Sequence, residues 1–232
     1  MDSDFTPFSH RLVKIYSSYQ WQINKHSLRW IQPSISYYRG VIYGGKLLYE
    51  SISSYLNVSL TNNLSCDFEI DPKRELWNGK YYNEFTYQVS FDANPTGYFG
   101  IGSSFSEGKT INYQHDFLGW NREFSFWLNW KPRSSIEIAP EIAHGSQYRS
   151  HNGERLFNQW IGLGRISYFF TRDLYLKFFL QGNGYSHYHV GNALLAYTFK
   201  PGSTFYIAYN SGWDNTAGNF KKETQVIFAK IS

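Results

Sequence analysis

The chain has 232 residues, a formal charge of +4, 17 % charged residues and one cysteine. One cysteine excludes a disulfide scaffold or a cysteine-based zinc site. The small, scattered charge excludes a nucleic-acid surface, and no apolar run approaches the roughly 18 residues of a helical membrane span. Aromatic residues make 20 % of the chain (20 Tyr, 19 Phe, 8 Trp), which excludes disorder and leaves an aromatic-rich all-β protein.

Residues 1–10, MDSDFTPFSH, have neither a basic start nor an apolar core, so no secretory signal is read there. A protein of the kind inferred below must be exported. The expectation is therefore that 1–232 is a single barrel domain, the C-terminal portion of a longer chain, and the absence of an aromatic at the last residue points the same way.

Period-two alternation marks the strands, because successive side chains of a strand face opposite surroundings. Val13, Ile15, Tyr19, Trp21 and Ile23 oppose Lys14, Gln20 and Gln22. Leu64, Cys66, Phe68 and Ile70 oppose Ser65, Asp67 and Glu69, and Phe85, Tyr87, Val89 and Phe91 oppose Thr86, Gln88, Ser90 and Asp92. Ile136, Ile138 and Ile142 oppose Glu137 and Glu141, and Leu174, Leu176, Phe178 and Leu180 oppose Lys177 and Gln181. Arg165 shares a face with Ile161 and Leu163. This pattern predicts about thirteen strands, near 11–23, 28–38, 47–60, 64–70, 84–93, 98–106, 119–131, 135–145, 156–170, 174–183, 191–200, 203–211 and 223–232.

Short connections are expected at 24–27, 61–63, 93–97, 131–135, 170–173 and 200–203, alternating with longer polar ones at 39–46, 71–83, 107–118, 146–155, 183–190 and 212–222. Alternating short turns and long loops, with strands long enough to cross hydrocarbon, are the pattern of an up-and-down antiparallel transmembrane β-barrel. Trp21, Trp30, Tyr37, Trp120, Trp130, Trp160, Tyr197 and Trp213 suit its aromatic girdles. An odd strand number implies 14 or more strands in the intact barrel. The soluble alternative, a β-sandwich or lipocalin-like module, would turn the same apolar face inward.

Two short turns are near copies, Trp130-Lys-Pro-Arg-Ser-Ser-Ile136 and Phe199-Lys-Pro-Gly-Ser-Thr-Phe205, and Phe169-Phe-Thr-Arg-Asp-Leu174 is a looser third. These stretches, with Arg165–Gln181 and Asn192–Trp213 around them, resemble the C-terminal barrel domain DUF5916 of outer-membrane proteins that carry an N-terminal family-9-like carbohydrate-binding domain. The resemblance covers about the last hundred residues. It implies a cell outer-membrane location and glycan handling, and brings no catalytic residue with it.

The inferred lumen carries acids on the middle strands, Asp67, Glu69, Asp92, Glu137 and Glu141, and bases nearer the ends, Lys14, Arg165, Lys177 and Lys230. In a closed barrel they either face each other across a pore, creating a transverse field, or pair and fill a plugged lumen. Exposed aromatics of the long loops, Trp77, Tyr81, Tyr82, Tyr113, Tyr185, Tyr188 and Trp213, are sugar-stacking candidates, Trp77 and Trp213 foremost; the alternative is the interfacial girdle. His144 and Ser146, followed by Asn152-Gly153, weakly resemble an outer-membrane phospholipase, although the order departs from that family's. His187 and His189 lack a third metal ligand nearby. Glu137 and Glu141 lie about 13 Å apart by strand rise, too far for a glycosidase pair. The expected function is an outer-membrane anchor or pore in glycan-related binding or uptake, without cofactor or metal. Its expected partners are membrane lipid and, through the absent N-terminal domain, polysaccharide or oligosaccharide. A hydrolase acting on lipid or glycan and a soluble β-rich binding module are the rivals.

Overall fold

The computed structural model describes residues 10–231, apart from 26, 43, 185, 216, 217, 219 and 220. Its elements are all strands: β1 His10–Ser18, β2 Trp21–Lys25, β3 Leu28–Ile42, β4 Leu47–Leu60, β5 Leu64–Trp77, β6 Lys80–Thr96, β7 Phe99–Asn112, β8 Phe117–Arg133, β9 Ile136–Tyr148, β10 Arg155–Phe169, β11 Leu174–Asn183, β12 Tyr188–Lys200, β13 Ser203–Asp214 and β14 Lys221–Ile231. They form one antiparallel up-and-down sheet in sequence order from β1 to β14, with β2 also paired to β3. Among the described residues no ladder joins β14 to β1, so the order is linear.

The expected strand 11–23 is divided into β1 and β2, and proline is the reason. Ser18 pairs with Ser34 and Trp21 with Ile31, so the register runs through unchanged. The gap at Tyr19 and Gln20 faces Pro33, which has no N–H to donate; the Pro33 carbonyl still accepts from the Tyr19 amide at 3.2 Å.

The long connections are shorter than the alternation of polarity suggests. The expected loop 71–83 is almost wholly strand. β5 and β6 meet in Asn78-Gly79, where both residues have positive φ (50° and 78°), the two-residue hairpin turn that Asn-Gly favours. The expected loop 107–118 contracts to 113–116, and on the same side the remaining connections are 43–46, 149–154, 184–187 and 215–220. Polar residues at these strand ends keep their ladder partners: Lys73 pairs with Ser51 and Arg74 with Glu50. Strict alternation of short and long connections is therefore not observed; 78–79 is as short as 97–98 or 201–202 on the other side.

Contacts divide the chain into two units: Met1–Phe91, Phe105–Arg122 and Gln147–Leu156; and Asp92–Ser104, Glu123–Ser146 and Phe157–Ser232. In the first, rows of partnered residues sort by polarity. Ile35, Ser54 and Ile70 follow one another across β3–β5, as do Pro33, Leu56 and Phe68, on one face. Gln32, Asn57 and Asp67, and Ser34, Tyr55 and Glu69, take the other. In the second, Ile166, Phe178, Ala193, Tyr209 and Ile227 make an apolar row. The opposite face of its last strands is less polar, with Leu194, Ala208 and Phe228 in one row.

Neither unit hides its apolar row. Ile15, Ile35, Phe68, Ile70, Ile142, Trp160, Phe178, Leu180, Ile207 and Ile227 are between 39 % and 68 % exposed. The buried apolar residues among those described are Ala93, Ile111, Ala196 and Ala208, all but one of them small. Soluble domains bury Ile, Val, Leu and Phe first, and contiguous exposed apolar surface marks contact with a membrane or a partner.

Candidate functional site

The polar strand faces carry the predicted lumen residues. In the first unit, one face of β5 presents Asp67, Glu69, Asp71, Lys73 and Glu75 by simple alternation. Asp67 is the hub. It accepts hydrogen bonds from the Tyr55 hydroxyl and the Asn57 amide of β4, and its other oxygen accepts from the Ser90 hydroxyl of β6 at 3.2 Å. Glu69 faces Tyr55 across the ladder, and Asp71 accepts from Ser53 at 2.6 Å. Lys73 pairs with Glu75 and lies 3.3 Å from Glu84. Lys14 sits over the Tyr38 ring at 5.0 Å. Asp92 of β6, which belongs to the second unit, accepts from Asn94 at 2.5 Å.

In the second unit the carboxylates are matched by bases on the neighbouring strand. Glu141 of β9 accepts from Arg165 of β10 at 2.7 Å, and Glu137 lies 3.6 Å from Lys131 of β8. Lys177 stands over Tyr175 at 4.8 Å and opposite Ser167, and Lys230 stands opposite Tyr206. The Glu141–Arg165 pair lines a cavity of about 360 Å³ together with Trp127, Ala139 and Ala143. Trp127 packs over Gly102, where a Cβ would strike its indole. Glu137 and Glu141 are thus compensated by nearby bases, Lys131 and Arg165.

The loop aromatics separate. Trp77, at the end of β5, packs edge-on against Tyr113 with ring centroids 4.8 Å apart, and the Tyr113 hydroxyl donates to Glu75 at 3.2 Å. Burial raises the Tyr113 phenol above its ordinary pKa, the nearby Glu75 and Glu84 raising it further and Lys73 opposing them. Trp213 is a strand residue of β13, not a loop residue, and covers Gly191, where a Cβ would meet its ring at 2.8 Å. Tyr185 lies outside the described residues. Of the aromatics expected to form girdles, Trp30 pairs with Ser59 on the polar face, opposite to Trp21 and Tyr37.

One constellation escaped the sequence reading because 107–118 looked like loop. Glu107 of β7, on the apolar face, is buried and accepts from the Tyr87 hydroxyl at 2.6 Å, the Trp120 indole at 2.5 Å and the Arg122 guanidinium at 2.6 Å. His151 is 3.7 Å away and packs edge-on against Trp120, and Arg122 covers the Tyr148 ring at 5.2 Å. Three strands and the 149–154 connection meet on one carboxylate. A Glu and an Arg at apolar positions of alternating strands were the signal.

The enzyme-like stretch is placed clearly. His144 Nε2 and Asn158 Oδ1 are 2.6 Å apart, and His144 packs on Trp160 at 4.2 Å. Ser146 is 1 % exposed, and its hydroxyl has no hydrogen-bond partner. A hydroxyl without a base and without access is not an activated nucleophile. Among the described residues no group of three His, Cys, Asp or Glu side chains is set to hold a metal. A scan of the chain against protein-family models finds no match, and no curated protein matches it.

Proposed function

We propose that the chain is an outer-membrane β-barrel acting as an anchor or pore in glycan-related binding or uptake. The exposed apolar face carries this reading. Side chains such as Ile15, Phe68, Phe178 and Ile227 are exposed on strands of 9–14 residues, while Asn57, Asp67 and Glu69 share the other face. Hydrocarbon satisfies the first face, and a lumen satisfies the second. The DUF5916-like hairpins around Pro132 and Pro201 support the outer-membrane location and the link to glycans. In this reading Lys14, Asp67, Glu69, Asp92, Glu137, Glu141, Arg165, Lys177 and Lys230 line the lumen, and Trp77 with Tyr113 is the sugar-stacking candidate.

The refolded chain in detergent is expected to migrate faster on gels unheated than boiled, and to float with liposomes. A chain that stays monomeric and soluble without detergent would refute the reading. If the lumen is open, single-channel recordings will show ion-conducting events whose cation preference falls in the Asp67→Asn variant; a silent bilayer selects the anchor.

A further inference from the structure

We propose that the apolar face of β9–β13 holds one acyl chain of a glycerophospholipid, in a glycine-floored groove with imidazole and amide groups at one end. The proposal rests on the membrane reading above and adds a specific lipid site to it. The groove has a volume of about 680 Å³, within the roughly 300–1,000 Å³ of small-molecule sites. Ile142, Leu180 and Trp213 wall it, and Gly162, Gly164 and Gly182 lie along its base.

The glycines carry the argument. Gly162 pairs directly with Gly182, and Gly164 with Leu180. Glycine inside a strand weakens it, and its presence there marks a tight packing contact or the close approach of something else. Tight packing explains Gly102 and Gly191, where a Cβ would strike Trp127 and Trp213. It does not explain Gly162, whose Cβ would meet nothing within 4 Å, or Gly164, whose nearest neighbour would be Leu180 Cβ at 3.9 Å. The space above these residues is left open by the protein itself.

The two ends of the groove differ. His189 stands opposite Gly182 and lines the groove. On the same strand faces, His144 lies two residues from Ile142, and Asn158 and Trp160 precede Gly162; His144 and Asn158 are hydrogen-bonded. Apolar walls with imidazole and amide groups beyond them match a molecule with a hydrocarbon tail and a hydrogen-bonding ester or headgroup. The groove residues include one acid, Glu141, and neither Lys nor Arg, which favours a zwitterionic glycerophospholipid over a multiply phosphorylated glycolipid.

The test uses the full chain in nanodiscs of phosphatidylethanolamine containing a trace of the same lipid with a photoactivatable acyl chain, and cross-links are mapped by mass spectrometry. Labelling is expected to concentrate on residues 160–164 and 180–191, to drop at least fivefold in Gly162→Leu, and to be competed by unlabelled phosphatidylethanolamine. Gly164→Leu is a second variant that fills the groove by another route. Even labelling along the apolar face, labelling unchanged in both variants, or competition only by a phosphorylated glycolipid would overturn the proposal. Retained heat-modifiable migration with even labelling removes the groove alone, whereas a chain that never enters the nanodisc removes the membrane reading with it.

Discussion

Replacing Gly108 by alanine is expected to lower the unfolding free energy by about 3 kcal/mol, measured by urea titration of the refolded protein followed through tryptophan fluorescence. A Cβ at Gly108 would overlap the Phe85 carbonyl oxygen and come within 2.6 Å of the Thr86 Cα. Both are backbone atoms of the adjacent strand β6, so no rotamer change relieves the clash. The β6–β7 ladder must part or shift, and a one-residue slip would turn every side chain of a strand to the wrong face. The matched control is Gly162→Ala, whose Cβ meets open space. It should be neutral or stabilise by about 0.5–1 kcal/mol, since alanine has less chain entropy to lose. Equal behaviour of the two variants would show that β7 does not approach β6 as closely as described.

Glu107→Ala should have the next largest effect, a loss of about 2–3 kcal/mol. The substitution leaves the Tyr87 hydroxyl, the Trp120 indole and the Arg122 guanidinium without their common acceptor. The guanidinium is about one-third exposed, so water recovers part of its loss, and the cost falls below that of breaking a fully buried pair. Glu107→Gln keeps an acceptor oxygen and should cost about half as much. Because all four groups share one network, Glu107→Ala combined with Arg122→Ala should lose less than the sum of the single changes. Strict additivity would mean that the pair contributes nothing.

Alternation made most of the strands legible before any coordinates. The expected bounds 47–60 and 174–183 coincide with β4 and β11, because apolar and polar residues alternate there up to the turns. The same rule found the acids of β5 and β9. It failed where its premise failed. Beyond Ile70 the apolar face of β5 carries Arg74, so loss of hydrophobicity read as loss of strand, although the ladder with β4 continues to the Tyr49–Glu75 pair. Backbone pairing is indifferent to side-chain polarity, and Asn78-Gly79 closes the hairpin at its far end. The Glu107 cluster was hidden for a related reason: its members come from β6, β7, β8 and the connection after β9, and no local spacing records a meeting of that kind. Pro33 was visible in the sequence, but its effect falls on the partner strand.

With β1 and β2 in register on the same neighbour, the ladder has thirteen positions. Directions reverse at each step, so its first and last members point the same way. A seam made by zipping β14 straight onto β1 would therefore be parallel, with slanted, evenly spaced bonds instead of the paired perpendicular bonds found everywhere else. An antiparallel seam calls for one further strand between them. Cysteines placed along the two margins would distinguish the cases: disulfides between β1 and β14 form only where the two are direct neighbours about 4.8 Å apart, and an intervening strand doubles that spacing, beyond the roughly 7 Å reach of a disulfide.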